Sequence, residues 1–201
     1  MLEPLIFYLS FGSPFSYIAA QQVEEIANKH DRSVCWRPVR LKMIIEKVYG
    51  KGKFSISPLK MSYFRKDSRR SAELYGLPFF APEGTPPFDC DEAYACVYSF
   101  SDGDEVKLRN ITLALISAVW SKGISVHNIS QVVLALKQFH GSSALIKSCA
   151  ESNYGLEHHN SVVSSAVEVG MFGAPWFYVD GESFWGHDRL DLIDKFLSIN
   201  N

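Results

Sequence analysis

Ser13-Pro14-Phe15-Ser16 is separated by three residues from a preceding apolar run, Leu5-Ile6-Phe7-Tyr8-Leu9. Two hydroxyls at a tight strand-to-helix turn are placed to hold a ligand. A serine here is also a plain helix cap, since Ser is a favoured N-cap and Pro14 suits the first helical position. Cysteine at either hydroxyl position would make a disulfide oxidoreductase, whose attacking group is a thiolate; serine at both removes that chemistry. His158 and His159 are adjacent, do not share a helix face and have no third ligand, so no metal site is expected. The four cysteines, Cys35, Cys90, Cys96 and Cys149, form no C-x-x-C pair and share no zinc-finger spacing with a histidine. Reduced thiols are expected, with Cys35 and Cys149 buried.

The elements that must position this turn follow from spacing. Residues 5–10 read as a buried strand. A single helix from Pro14, capped by Ser13, carries Ile18, Ala19, Val23, Ile26 and Ala27 at helical spacing. Residues 33–38 read as a second strand, which Pro38 helps to end. From Leu41 the character changes: YGKGKFSISP is a loop, and residues 59–75 are helical up to Gly76. LPFFAPEGTPPFD is a Pro-rich extended connection. Segments near 91–100, 109–122, 129–139 and 142–152 have helical apolar spacing, and Asn160 is expected to cap a helix over about 161–169. Residues 176–179 and 182–185 flank Asp180-Gly181, a strong hairpin signal, and a last amphipathic helix starts near Asp188. The order is βαβ, helical block, αββα: a mixed four-stranded sheet whose halves, 1–40 and 160–201, are separated by an inserted helical domain over 41–159.

Composition narrows the partners. The chain has 201 residues, is 47% hydrophobic and carries a formal net charge of -2, so no electrostatic pull toward nucleic acid is expected. The most basic stretch, Arg65-Lys66-Asp67-Ser68-Arg69-Arg70, is broken by an acid and reads as a solvated helix face. No apolar run is long enough to cross a bilayer, and the N-terminus lacks the pattern of a signal peptide. A cytoplasmic protein without a membrane or nucleic-acid partner is expected.

The element order resembles the thioredoxin fold with a helical insertion. Ser13–Ser16 stands where thioredoxin-like oxidoreductases carry Cys-x-x-Cys. Gly173-Ala174-Pro175 stands where that fold carries a cis-proline. FGAPWFYVDGESFWGHDRLDLI closely resembles the C-terminal segment of 2-hydroxychromene-2-carboxylate isomerases, relatives of kappa-class glutathione transferases within the DsbA-like group. The S-P-[FY]-S-Y pattern, the WRPV strand, Lys60, Tyr63 and LYGLPF (74–79) match the same family. The likeness covers nearly the whole chain, more loosely in the helical middle. The chain departs from the family at Lys51, where many relatives have Asn in a glutathione-contacting loop, and at His187, which replaces a small polar residue.

The resemblance implies glutathione as cofactor. Ser13 would then donate a hydrogen bond to the cofactor sulfur from a helix N-terminus that already favours an anion. If the Ala174-Pro175 bond is cis, the main chain of Ala174 faces the pocket and can pair with the tripeptide backbone. Asp188 would meet the γ-glutamyl ammonium, beside His187. Lys60 would meet the glycine carboxylate, a role open also to Lys51. Phe15, Tyr63 and Trp185 would wall the second, apolar substrate site, with Tyr17, Phe79, Phe80 and Trp176 nearby; for any one of these aromatics core packing is the alternative role.

The implied activity is a glutathione-dependent isomerisation of 2-hydroxychromene-2-carboxylate to trans-o-hydroxybenzylidenepyruvate in aromatic catabolism. A small aromatic carboxylate is the implied substrate and a homodimer the implied assembly. A kappa-like glutathione transferase or peroxidase is an alternative using the same cofactor site. A DsbA-like binding module without turnover is another. The FWGxDRL ending and Trp120-x-x-Gly123 favour the isomerase.

Overall fold

Phe7 packs against Trp36 on one side and Phe177 on the other, with ring centroids 5.1 Å away in both cases. The three are register partners on neighbouring strands of a computed structural model that describes residues 2–53, 55–82, 88–137, 139 and 142–200. Each buried ring contributes roughly 1.5–3 kcal/mol through the apolar surface it removes from water. β1 (Leu5–Leu9) lies centrally. β2 (Val34–Pro38) pairs with it in parallel, and β3 (Trp176–Val179) pairs antiparallel on its other side. β4 (Glu182–Trp185) closes the order β2-β1-β3-β4. Asp180 and Gly181 both have positive φ in the β3–β4 turn, as a two-residue hairpin of this hand requires. Arg32 grips both carboxylate oxygens of Asp180 at 2.7 Å.

Helices α1 (Pro14–Ala20) and α2 (Val23–Asn28) connect β1 to β2. The single helix expected here is broken. The side-chain amide of Gln22 donates to the Ile18 carbonyl at 2.9 Å, while its backbone N–H turns to Ala19. The side chain thus takes the acceptor that a continuing helix would give to the main chain. After β2 comes α3 (Leu41–Tyr49), in a stretch where no helix was expected; the described residues between Gly50 and Ser57 are loop. It buries Ile44 and ends at Gly50, whose φ of 89° suits glycine.

α4 (Pro58–Leu74), α5 (Asp91–Ser101), α6 (Glu105–Lys122), α7 (Ile129–Ala135) and α8 (Ser143–Ala150) follow. The Pro-rich connection before α5 falls partly, at 83–87, outside the described residues, as do residue 54 of the earlier loop and position 138 of the third expected middle helix. α9 (Asn153–Glu168) starts well before the expected cap. Ser152 is its N-cap, accepting from Gly155 N–H, and Asn160 is an exposed residue within it whose carbonyl accepts from Ser164. Gly155 lies so close to the Ala95 carbonyl of α5 that a Cβ has no room; a glycine that looks like a helix breaker is what lets α9 pack on α5. α9 also runs through the expected domain boundary at 159/160. A 3-10 turn (His187–Arg189) leads into α10 (Leu190–Asn200), whose Phe196 packs on Phe184. Cys149 is buried, but Cys35 is only half-buried on β2.

Candidate functional site

β1 delivers the chain to the first turn of α1. Ser13 is 5% exposed and caps that helix: its Oγ accepts from Ser16 N–H at 3.2 Å. The same hydroxyl donates to the Ala174 carbonyl at 3.1 Å. The Ala174-Pro175 peptide is cis. Ser13, Ala174 and Pro175, 161 residues apart in sequence, therefore meet. Cap and contact are one arrangement: a hydroxyl has one proton and two lone pairs, and here all but one lone pair are used. Ser16, the second hydroxyl of the motif, is wholly buried and accepts from Ser10 N–H at 3.2 Å. It braces the turn from inside.

A rim surrounds Ser13. The Gly186 N–H donates to the Pro175 carbonyl at 3.1 Å, which ties the 3-10 turn to the cis-proline. His187 in that turn stacks on Phe15 with centroids 4.9 Å apart and planes 14° apart. Phe64 of α4 meets the other edge of Phe15, and Lys60 Nζ lies 5.5 Å over Phe64. Ser57 fixes the entry to α4 by accepting from Lys60 N–H. Burial pushes the His187 ring below the ordinary histidine value, against opposing pulls from Asp188 and Asp67, so the ring is neutral at pH 7. The Asp188 side chain is exposed and within 3.2 Å of Arg189.

Phe15, His187 and Lys60 are thus joined in one stack beside Ser13, through a residue, Phe64, that the sequence reading missed; it lies one helical turn beyond Lys60. Three expected residues stand apart from the stack in the described contacts. Trp185 belongs to a second aromatic group, packed on Phe172 at 4.9 Å and against Gly173. Tyr63 points outward from α4, 56% exposed, and Lys51 lies in the exposed turn after α3. Among the other aromatics, Phe79 stacks on Trp120, Trp176 is buried, and Tyr17 donates to the Pro78 carbonyl. Trp120 of the W-x-x-G pattern donates to the Phe11 carbonyl at 2.8 Å, and Gly123 ends α6 with positive φ.

Beneath the turn lies a polar cluster with no signal in the local sequence. Asp89, 5% exposed, accepts from Tyr94 Oη at 2.6 Å, Gly12 N–H at 3.1 Å and Ser10 Oγ at 3.3 Å, all on Oδ2. Arg40 donates to the Asp89 carbonyl and pairs with Asp91 at 2.8 Å. Tyr94 stacks on His159, whose Nε2 accepts from Arg40 N–H at 3.1 Å. Burial first, then the Asp89 carboxylate, pushes the Tyr94 hydroxyl well above the ordinary phenol range. Histidine 159 is therefore a core residue, and among the described residues no group of three or more His, Cys, Asp or Glu side chains could hold a metal ion. Among them too, no helix is long and apolar enough to cross a membrane.

The arrangement offers a buried hydroxyl bonded to the Ala174 carbonyl, an aromatic stack and an exposed cation. A chain from Pseudomonas putida, 2-hydroxychromene-2-carboxylate isomerase, is 26% identical over 192 residues, covering 94% of this chain and 91% of that one. Glutathione S-transferase kappa 2 of Caenorhabditis elegans is 24% identical, with 96% and 90% covered. A solved structure of 2-hydroxychromene-2-carboxylate isomerase superposes with a TM-score of 0.84 at 24% identity, over 98% of this chain and 95% of that one. The family model described as a DSBA-like thioredoxin domain matches residues 4–198, and the chain belongs to that family.

Proposed function

We propose that this chain is a glutathione-dependent isomerase of the 2-hydroxychromene-2-carboxylate type. The observation that carries the reading is the Ser13 hydroxyl 3.1 Å from the Ala174 carbonyl, with the rim of Phe15, His187 and Lys60 beside it. The curated isomerases at 26% identity supply the reaction class. The kappa relative's name supplies the cofactor.

The residues fit glutathione in charge and in hydrogen-bonding capacity. Ser13 gives its single proton to Ala174; a ligand amide that donates to the Ala174 carbonyl takes over that acceptor and releases the hydroxyl proton for a sulfur. Exposed Asp188 and Lys60 offer opposite charges to the two ends of a zwitterionic tripeptide, and Lys51 offers a second cation. When bound, glutathione supplies the nucleophilic thiol that opens the substrate ring. Ser13 then holds the negative sulfur. The hydroxyl carries most of that task, because α1 has only seven residues and its dipole is correspondingly short. The Phe15–His187 stack presents a flat apolar wall suited to an aromatic acid, and the neutral His187 ring adds no charge there.

The experiment is ring opening by purified protein with and without glutathione, repeated with Ser13→Ala. Glutathione is expected to accelerate the wild type, and Ser13→Ala to lower kcat/KM about 100-fold, the scale for removing one donor to developing charge, while still binding glutathione. No acceleration at saturating glutathione sinks the proposal. Conjugation of glutathione to a chlorinated nitroaromatic, faster than isomerisation, would favour the transferase.

A further inference from the structure

The Ser13 turn is held from below by one carboxylate. Asp89 Oδ2 receives three donors from two separate segments: Ser10 and Gly12 from the β1–α1 connection and Tyr94 from α5. The Asp89 backbone is itself fixed, by a parallel bridge to Val126 and by the neighbouring Val126 N–H donation to Phe88. Gly12 leaves no spare room over the carboxylate: an added Cβ would meet Oδ2 at 3.1 Å. The charged and titratable groups around Asp89 come from the segment after β2, from α5 and from α9. Arg40 approaches Oδ1 with Nε at 3.7 Å, Tyr94 donates from α5, Asp91 holds the other side of Arg40, and His159 of α9 accepts the Arg40 N–H. The adjoining backbone is tied the same way, with Phe11 N–H on Tyr94 Oη and the Phe11 carbonyl under Trp120.

We propose that Asp89 is a positioning residue for the Ser13 turn: it holds the Gly12 N–H from below, and its fixed negative charge opposes a second one at the sulfur position above. The inference rests on the glutathione reading for its second half only. A carboxylate is a costly group to bury, and a neutral side chain would serve to accept one backbone N–H. The charge adds two things. It makes the Gly12 and Tyr94 bonds charge-assisted and therefore strong, and it sets an upper limit on how firmly the site keeps a bound thiol ionised, which leaves the sulfur reactive and able to depart.

Asp89→Asn keeps the size and an acceptor but removes the charge; Asp89→Ala removes both. In the ligand-free full chain, Gly12 amide exchange is expected to rise at least about tenfold in Asp89→Ala and by less than about threefold in Asp89→Asn, with core amides such as Phe7 still protected. With glutathione bound, the thiolate ultraviolet absorbance is expected to titrate about half a unit to one unit lower in Asp89→Asn than in wild type, the size of one unit charge lost across a partly polar interior. A merely structural role would leave that titration in place. Unchanged Gly12 exchange in Asp89→Ala overturns the holding role. An unchanged or raised thiol titration in Asp89→Asn overturns the charge role, and this isosteric variant decides even if Asp89→Ala does not fold. Wild-type protein that binds no glutathione overturns the function proposed above, and Gly12 exchange then decides the hold by itself.

Discussion

The two sides of the Ser13 turn are built on opposite principles. Below it, Asp89, Tyr94 and His159 are buried: Tyr94 donates to Asp89, and His159 of α9 stacks on Tyr94 and accepts from Arg40 N–H in the segment after β2. Above it, Lys60 and Asp188 are exposed, and Phe15 is met by the rings of His187 and Phe64, with Lys60 over Phe64. Polar groups below can be left unpartnered only at a cost of about 1–3 kcal/mol each. Those above keep water as an alternative partner, so each is worth little to the fold and is free to turn to a ligand. Mutations below should register in stability, and mutations above in binding.

The largest effect expected on this division is a pH dependence. Burial pushes the His159 ring down to about 4, and its Nε2 is committed as an acceptor. The unfolded chain takes up this proton near the ordinary histidine value and the folded chain does not, so between about pH 6.5 and pH 4 the unfolded state binds more protons. The stability from a neutral His159 is complete above that window and falls with pH through it, by about 3 kcal/mol in all. Urea unfolding across this range, compared with His159→Gln, isolates the effect: the wild-type curve should fall away from the variant's as pH drops. Parallel curves would mean that the underside is more open to water than its burial indicates.

Tyr94→Phe comes next. It removes a donor to Asp89 and the acceptor for Phe11 N–H, leaving a buried N–H without a partner. About 2 kcal/mol of stability should be lost, which lowers Tm by about 4–8 °C for a chain of this size. Because Asp89 keeps its charge, the titration of a bound thiol should stay where it is in wild type. A large shift of that titration with no loss of Tm would reverse the roles assigned to hydroxyl and carboxylate.

The same division explains what could be read from the sequence. The upper side is written in short motifs: Ser13-Pro14 as cap and first helical residue, Gly173-Ala174-Pro175, and Asp180-Gly181 with its two positive φ values. Each depends on neighbours within a few residues, so residue type and spacing suffice, and the hairpin strands fall where expected. The underside depends on partners far away. Asp89 reaches Gly12 and Ser10 across 77 and 79 residues, and nothing near position 89 announces an acceptor. Tertiary contact also overrode local propensity in the helices. Gln22 is a good helix former whose own amide ends α1, and Gly155 is a poor one retained inside α9 because the Ala95 carbonyl leaves no space for a side chain. Asn160, a favoured cap residue, marks an expected helix start, but the chain is already helical from Asn153, with Ser152 as the cap. α3 does carry an apolar stripe at helical spacing, Leu41, Ile44, Ile45 and Val48, and the two glycines that follow it drew the whole stretch into the loop reading.

The smallest effect expected is at the rim, and it discriminates most finely. Lys60 is exposed, and its ammonium lies 5.5 Å over the ring of Phe64, one turn along α4, which itself meets Phe15 edge-on. An exposed cation facing one carboxylate is worth up to about 1 kcal/mol, so Lys60→Ala should raise the KM for glutathione about fivefold, leave kcat and Tm nearly unchanged, and lose its effect at high salt, where exposed charges are screened. Lys60→Arg should recover most of the loss, since charge and reach are kept. Lys51 is the competing cation, in an exposed turn with no described contact to the stack, and Lys51→Ala should do less. Should Lys51→Ala prove the costlier change, the carboxylate end of the ligand lies over the turn after α3, and the Phe15–Phe64–Lys60 stack walls the substrate instead.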